Sequence, residues 1–249
     1  MKKTRTLIAG AILASVLAAP AQADIAARYK TNDENAVMNM EMTVEADNEG
    51  NVRTQMAHLG AYFLLSDGEL FQVANSESGL FVVRVSDLMR VQGEIAQEMF
   101  QNPPPEMDLP KQSFAPMDPE IVSERQGIGY GIVSDDYPEP RYASIVVSDD
   151  PALAPLGDAV VRSHQAMASS ASAWGSMGTM LGMMNEEMLA VLRKGAPLRL
   201  MKLELTDIST EMIPAERFEL PAEPLTIEEL RARLSPRVEE PPTLPPSED

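Results

Sequence analysis

Met38-Asn39-Met40-Glu41-Met42-Thr43-Val44-Glu45-Ala46 runs into Asp47-Asn48-Glu49-Gly50 and out again through Asn51-Val52-Arg53-Thr54-Gln55-Met56. Apolar and polar residues alternate on both sides of four turn-forming ones. A period of two puts successive side chains on opposite faces of a strand, so the first stretch is a half-buried strand. Asn and Gly tolerate a positive φ, so the middle is a tight turn. Val52, Thr54 and Met56 then continue on a partner strand. Tyr62 to Leu65, the turn Ser66-Asp67-Gly68-Glu69, and Leu70 to Val73 repeat the design, and Leu80 to Val85 adds one more strand. Short strands joined by tight turns predict an antiparallel meander.

The reading extends from there in both directions. Residues 24–35 are polar and read as a helical entry segment. Ser86-Asp87 opens a helix along which Leu88, Val91, Ile95 and Met99 recur every three or four residues. Residues 101–120 hold six prolines, at 103, 104, 105, 110, 116 and 119, and predict an extended crossing. Strands at Ile121 to Glu124, Ile128 to Val133 and Tyr142 to Val147 follow.

Pro151 to Lys194 is a long helical region. Val160, His164, Met167, Ala171 and Trp174 form one stripe, and Leu181, Met184, Met188 and Leu192 extend it. Between them, Gly175, Gly178 and Gly182 weaken the helix by about 1 kcal/mol each relative to alanine, which marks a hinge. Leu198 to Ile208 returns to strand, with a bulge predicted at Leu200 and Met201. Thr226 and Glu229 have capping-box spacing, and the helix they open should stop at Ser235-Pro236. Residues 235–249 are acidic, proline-rich and expected to be disordered.

The N-terminus carries an address. Lys2, Lys3 and Arg5 precede an apolar run from Leu7 to Leu17, and Ala21-Gln22-Ala23 offers small residues to a signal peptidase. The run is about a dozen residues, whereas a membrane span needs about 20. Residues 1–23 therefore read as a cleaved secretory signal, and the mature protein as periplasmic or secreted with no transmembrane segment. That signal holds three of the 20 basic residues and none of the 38 acidic ones, which leaves 17 against 38, a net charge of −21. Such a charge excludes nucleic acid, whose binding needs cationic contacts to phosphate. Without cysteine, thiol nucleophiles, iron–sulfur clusters and cysteine-bound zinc are excluded as well.

Gly195-Ala196-Pro197-Leu198, a strand to Ile208, and then Ile213-Pro214-Ala215-Glu216-Arg217-Phe218-Glu219-Leu220-Pro221 resemble the closing signature of an uncharacterised branch of the LolA/LolB-like periplasmic lipoprotein carriers. The order of elements over residues 24–221 resembles that superfamily too. The resemblance implies an α+β fold: a strongly curved antiparallel sheet, or half-barrel, with helices packed on its concave face and acyl chains or another apolar ligand held between. Here the helices would be 86–100 and 157–193, within a single domain spanning 24–234. The resemblance brings no catalytic residue and no cofactor, so a non-enzymatic carrier is expected. The helical insert at 157–193 is longer and richer in methionine than the usual plug.

The methionines fit that expectation: there are 17, against six phenylalanines and one tryptophan. Methionine re-packs readily around variable apolar ligands. Met38, Met40, Met42, Tyr62 and Phe71 are the candidate wall of a cavity. Trp174, Met177, Met180, Met184 and Met188 are the candidate lid, hinged at Gly175, Gly178 and Gly182. A methionine-rich core accounts for the same pattern without a ligand. The expected partners are a lipid or other hydrophobic ligand and a protein of the cell envelope. Two alternatives stay open: a structural or interaction module with a filled core, and a Cu(I) binder using the methionine sulfurs. His58 and His164, the two histidines, have no metal-ligand spacing. The acid pairs Asp135-Asp136 and Asp149-Asp150 read as solvated turns.

Overall fold

The first and last of the described strands meet in the middle of one sheet. The computed structural model describes residues 24–31, 39–57, 59–76, 79–99, 112–172 and 186–235. Among them eleven strands form one open antiparallel sheet in the order β6-β5-β4-β3-β2-β1-β11-β10-β9-β8-β7. The strands are β1 (Ile25–Thr31), β2 (Glu41–Ala46), β3 (Val52–Met56), β4 (Ala61–Ser66), β5 (Glu69–Ser76), β6 (Gly79–Arg84), β7 (Gln112–Val122), β8 (Arg125–Ser134), β9 (Ile145–Ser148), β10 (Ala196–Leu200) and β11 (Leu203–Ser209). Four helices accompany them: α1 (Val85–Met99), α2 (Ala154–Ala171), α3 (186–192) and α4 (Ile227–Leu234). None of the described helices is long and apolar enough to cross a membrane.

Three segments differ from the expectation. The entry segment contains strand β1, not a helix, and β1 pairs with β2 on one side and β11 on the other. Ile25, Ala27 and Tyr29 face inward while Arg28 and Lys30 face out. The alternation is present, but Ala27 fills one of the three inward places and Ala26 stands beside it on the other face, which weakens the signal. Second, the proline-rich crossing contains β7 from Gln112 onward. β7 ends the sheet, and an edge strand tolerates prolines because an outward-facing backbone nitrogen needs no partner; the register slips between Pro116 and Pro119. Third, the bulge at Leu200 and Met201 is a two-residue hairpin turn. Leu200 pairs with Leu203, and Met201 adopts φ +56. A methionine in that conformation carries no turn signal in sequence.

Elsewhere the local chemistry acts as read. The Asp47 carboxylate accepts hydrogen bonds from the backbone nitrogens of Glu49, Gly50 and Asn51, which fixes the β2–β3 turn. Asp67 and Gly68 take φ +51 and +78 in the β4–β5 turn, the positive values a two-residue hairpin needs. Thr226 caps α4 with the reciprocal Glu229 contact, and Ser235 ends it.

α2 lies across one face of the sheet, against β10, β1, β2 and β5. The main core lies beneath it. Ile25, Tyr29, Val52, Ile145, Leu156, Leu192, Leu198 and Leu205 are all essentially sealed from solvent there. Gly157 lets α2 lie close against β10, because a Cβ at this position would be 3.2 Å from the Ala196 nitrogen. The opposite face at β4–β6 carries a smaller cluster, Phe71, Val73 and Val82, with Tyr62 and Leu220 packed on it. Leu220 belongs to the closing segment named above. That segment is anchored by Arg217, whose guanidinium donates to both Glu45 oxygens at 2.7 Å. It then rounds the β6 edge: Pro224 bridges Val82, and the Leu225 nitrogen donates to the Val82 carbonyl at 2.8 Å. α4 finally packs on α1 through Leu230, Val91 and Val83. The belt thus occupies hydrogen-bonding groups that an exposed edge strand would offer to another chain.

Candidate functional site

Strand register decides which predicted residues share a surface. Tyr29 pairs with Met42 and Met42 with Met56, while Gln55 pairs with Tyr62 and Leu64 with Phe71. Cross-strand partners share a face, and neighbours along a strand do not. Met42 therefore lies on the α2 side, and Tyr62 and Phe71 lie on the other. The expected wall is split: Met40 and Met42 pack half-buried against the main core, whereas Tyr62 and Phe71 belong to the separate cluster under the belt. The run Tyr62-Phe63-Leu64-Leu65 is apolar throughout, so alternation could not tell its two faces apart. Met188, on α3, is half-buried against the same core as Met40 and Met42. Met38, Trp174, Met177, Met180 and Met184, and the hinge glycines Gly175, Gly178 and Gly182, lie outside the described residues.

Other residues join that margin without having been expected there. Met89 on α1, Met117 and Phe114 on β7, Met167 on α2 and Phe63 on β4 also pack half-buried on the main core. Six methionines therefore border one core: Met40 just ahead of β2, Met42 on β2, Met89 on α1, Met117 on β7, Met167 on α2 and Met188 on α3. Helical spacing placed Met167 on the apolar stripe, but no sequence pattern joins it to Met89 or Met117.

Two polar groups lie in this region, Tyr29 sealed from solvent and His164 half-buried. Tyr29 donates its hydroxyl to the Pro197 carbonyl at 2.8 Å, and burial pushes that hydroxyl's pKa far above its ordinary value. His164 on α2 makes a 3.0 Å Nδ1 contact with the Val160 carbonyl. Burial pulls the His164 pKa below its ordinary value, against the opposing pull of that hydrogen bond. Both groups are neutral at neutral pH and serve packing. Asp150 accepts from the Ala152 nitrogen at 2.9 Å, which starts the 3₁₀ turn Pro151–Leu153 ahead of α2, and it pairs with Arg125 at 3.4 Å. Asp135 and Asp136 sit in an exposed bend. Among the described residues no group of three or more histidines and carboxylates is arranged to hold a metal ion.

A second feature lies at the far end of the strands. A cleft of about 620 Å³ opens between the β2–β3 turn, the β4–β5 turn and the outer half of α2. Gly50, Asp67, Glu69, Arg84, Arg162 and Ser169 line it, with Leu65 and Leu70 at its floor. Arg84 is occupied, since its Nε pairs with Glu69 at 3.0 Å. Arg162 is not: its Nε is buried without a hydrogen-bond partner, and among the described residues no carboxylate stands within ion-pair distance. Its guanidinium rests on the backbone of Gly50, so closely that a Cβ there would collide with Nη1. Nothing in the sequence marked Arg162, because a lone arginine on a helix reads as a solvated charge. No family model, no curated protein and no solved structure matches this chain.

Proposed function

We propose that residues 24–234 form an exported, non-enzymatic carrier of an apolar ligand, such as an acyl chain or a lipid-modified partner. One observation carries the reading: the half-buried methionines that border the main core, on the α2 side from β2 and its approach, α1, α2 and α3, with Met117 of β7 on the other face beside Gly131. Flexible thioether side chains left partly uncovered around a fixed core make an adaptable apolar surface. Covering it gains about 25 cal/mol for each Å² of apolar surface removed from water.

The sheet's irregularities support a half-barrel with α1 and α2 on its concave side. Register slips occur at Arg28/Tyr29, at Pro197/Arg199 and at Pro116/Pro119, and such slips bend and coil a sheet. An export signal cleaved after Ala23 also suits the fold, because β1 begins at Ile25 and the Asp24 carboxylate accepts from the Ile213 nitrogen at 2.8 Å. The resemblance to the lipoprotein carriers points the same way.

A structural or interaction module of the envelope is the second reading. The filled main core favours it, since Tyr29, Leu156 and Leu198 are each 0 % exposed. Mass spectrometry of an organic extract of the purified protein separates the two. The carrier yields a lipid signal, and its single tryptophan changes fluorescence on adding fatty acids. An empty extract with unchanged fluorescence rejects the carrier and leaves the interaction module.

A further inference from the structure

The geometry points to an oxyanion-binding site in the cleft at the β2–β3 and β4–β5 turns, with Arg162 as its anchor. This site is separate from the methionine margin and needs no apolar ligand. A guanidinium presents five N–H donors in a fixed fork that matches carboxylate and phosphate oxygens. In a chain of net charge −18, an arginine bordered by acids would ordinarily be paired. Arg84, in the same cleft, is paired with Glu69. Arg53 also has a buried, unbonded Nε, yet it stacks on the Tyr62 ring at 3.7 Å and lies 3.8 Å from Glu45. Among the described residues Arg162 has neither a ring nor a carboxylate against it. The Nε itself is sealed from solvent, so an arriving oxyanion engages the part of the guanidinium that lines the cleft.

The fold sets this arginine in place. It projects from the middle of α2 onto Gly50, which has φ +100 and no side chain to push it away. Ser86, Gln165 and Ser169 line the same cleft and supply further donors. The volume of about 620 Å³ lies within the range of small-molecule sites.

The rim narrows the ligand class. Glu49, Asp67 and Glu69 border the same space and repel a bare dianion. They suit a ligand whose oxyanion is accompanied by a cationic amine. The shared chemistry is that of a phosphoethanolamine-type zwitterion, whether free or as the head group of a lipid.

Calorimetric titration of the full mature chain with O-phosphoethanolamine, with inorganic phosphate and with a short-chain, water-soluble phosphatidylethanolamine tests this. O-phosphoethanolamine should bind, and Arg162→Gln should weaken it about ten- to hundredfold, as expected for losing a charge-assisted pair. Arg162→Lys keeps the charge without the fork and should fall between. Asp67→Asn, on an exposed turn, should raise the affinity for phosphate and reduce the preference for the zwitterion. Thermal melts of each variant keep unfolding apart from lost binding. Tighter binding of the short-chain lipid than of its head group identifies a lipid source, and equal binding a free one. Unchanged binding in Arg162→Gln, or no binding of any probe to the wild-type chain, overturns the site. Phosphate bound as tightly as O-phosphoethanolamine overturns the zwitterion assignment. An organic extract empty of lipid would sink the carrier and leave this result standing.

Discussion

The two wings of the sheet reach the same antiparallel pairing by different means. From β2 to β6 the register runs without a slip, and the turns are spelled by residues made for them. From β7 to β10 the register slips twice, and the β7–β8 turn is made by Ser123 and Glu124 at φ +47 and +66. Coverage differs as well. The outer face at β4–β6 is closed by a belt from the far end of the chain, through Leu220. The outer face of β8 is closed by the segment that follows it, whose Pro140 and Ala143 sit on Gly131 and Gly129. A regular sheet needs a separate cover, whereas an irregular one folds over itself.

Glycine does a different job in each wing. Gly68 sits at φ +78 with open space around it, so it is there for its backbone. Gly127 has an ordinary backbone, but a Cβ would lie 2.7 Å from both Val146 Cγ1 and the Val147 carbonyl. It is there for its size.

Phe218, 5 % exposed in the 3₁₀ turn Ala215–Phe218 of the belt, fills the cover of the regular wing. Phe218→Ala should cost about 3–5 kcal/mol. At a few degrees per kcal/mol for a chain of this size, that lowers the melting temperature by roughly 10 °C. A loss below about 1 kcal/mol would mean that the regular wing stands without its cover. In the irregular wing, Gly195→Ala drives a Cβ into the Ser148 carbonyl oxygen, a backbone atom that cannot rotate away. Overpacking of this kind costs about 1–3 kcal/mol, and urea unfolding should place Gly195→Ala at the top of that range. Gly68→Ala meets no atom and should cost only about 1 kcal/mol, the strain of a positive φ on a residue with a Cβ. If the two glycine variants melt together, the distinction between size and backbone conformation fails.

What the sequence made legible follows the same division. Asp47 with Gly50, Asp67 with Gly68, the α1 stripe, and Thr226 with Glu229 each announce themselves, because one local interaction decides the structure and one residue type makes it. β1 was hidden because Ala27 stands where a larger side chain would have shown the alternation. β7 was hidden because Pro116 and Pro119 argue against a strand unless it is known to lie at an edge. The β10–β11 turn was hidden because Met201 adopts a conformation methionine seldom takes. Only β1 has its deciding partner far away in the chain, in β11; β7 and the β10–β11 turn are local hairpins whose residue types mask the pattern. The site divides likewise. Helical period finds Met167 and Met188, but only strand register separates Met42 from Tyr62. Only the approach of α2 to the β2–β3 turn brings Arg162 onto Gly50.

The smallest effect concerns the helix that ties the wings together. His164 on α2 is held neutral in the folded protein, its pKa lowered by burial. In the unfolded chain it takes up a proton at about pH 6.5. Below that pH the unfolded state binds more protons than the folded one, so stability falls as the pH falls, and the contribution is fully present only above it. His164→Gln removes this term. Chemical denaturation of the two proteins between pH 8 and pH 5 should therefore show the wild type losing stability faster than the variant as acid is added. Parallel curves would mean that the imidazole protonates without strain in the folded state, and that α2 sits more loosely over the sheet than its contacts with β10, β1, β2 and β5 imply.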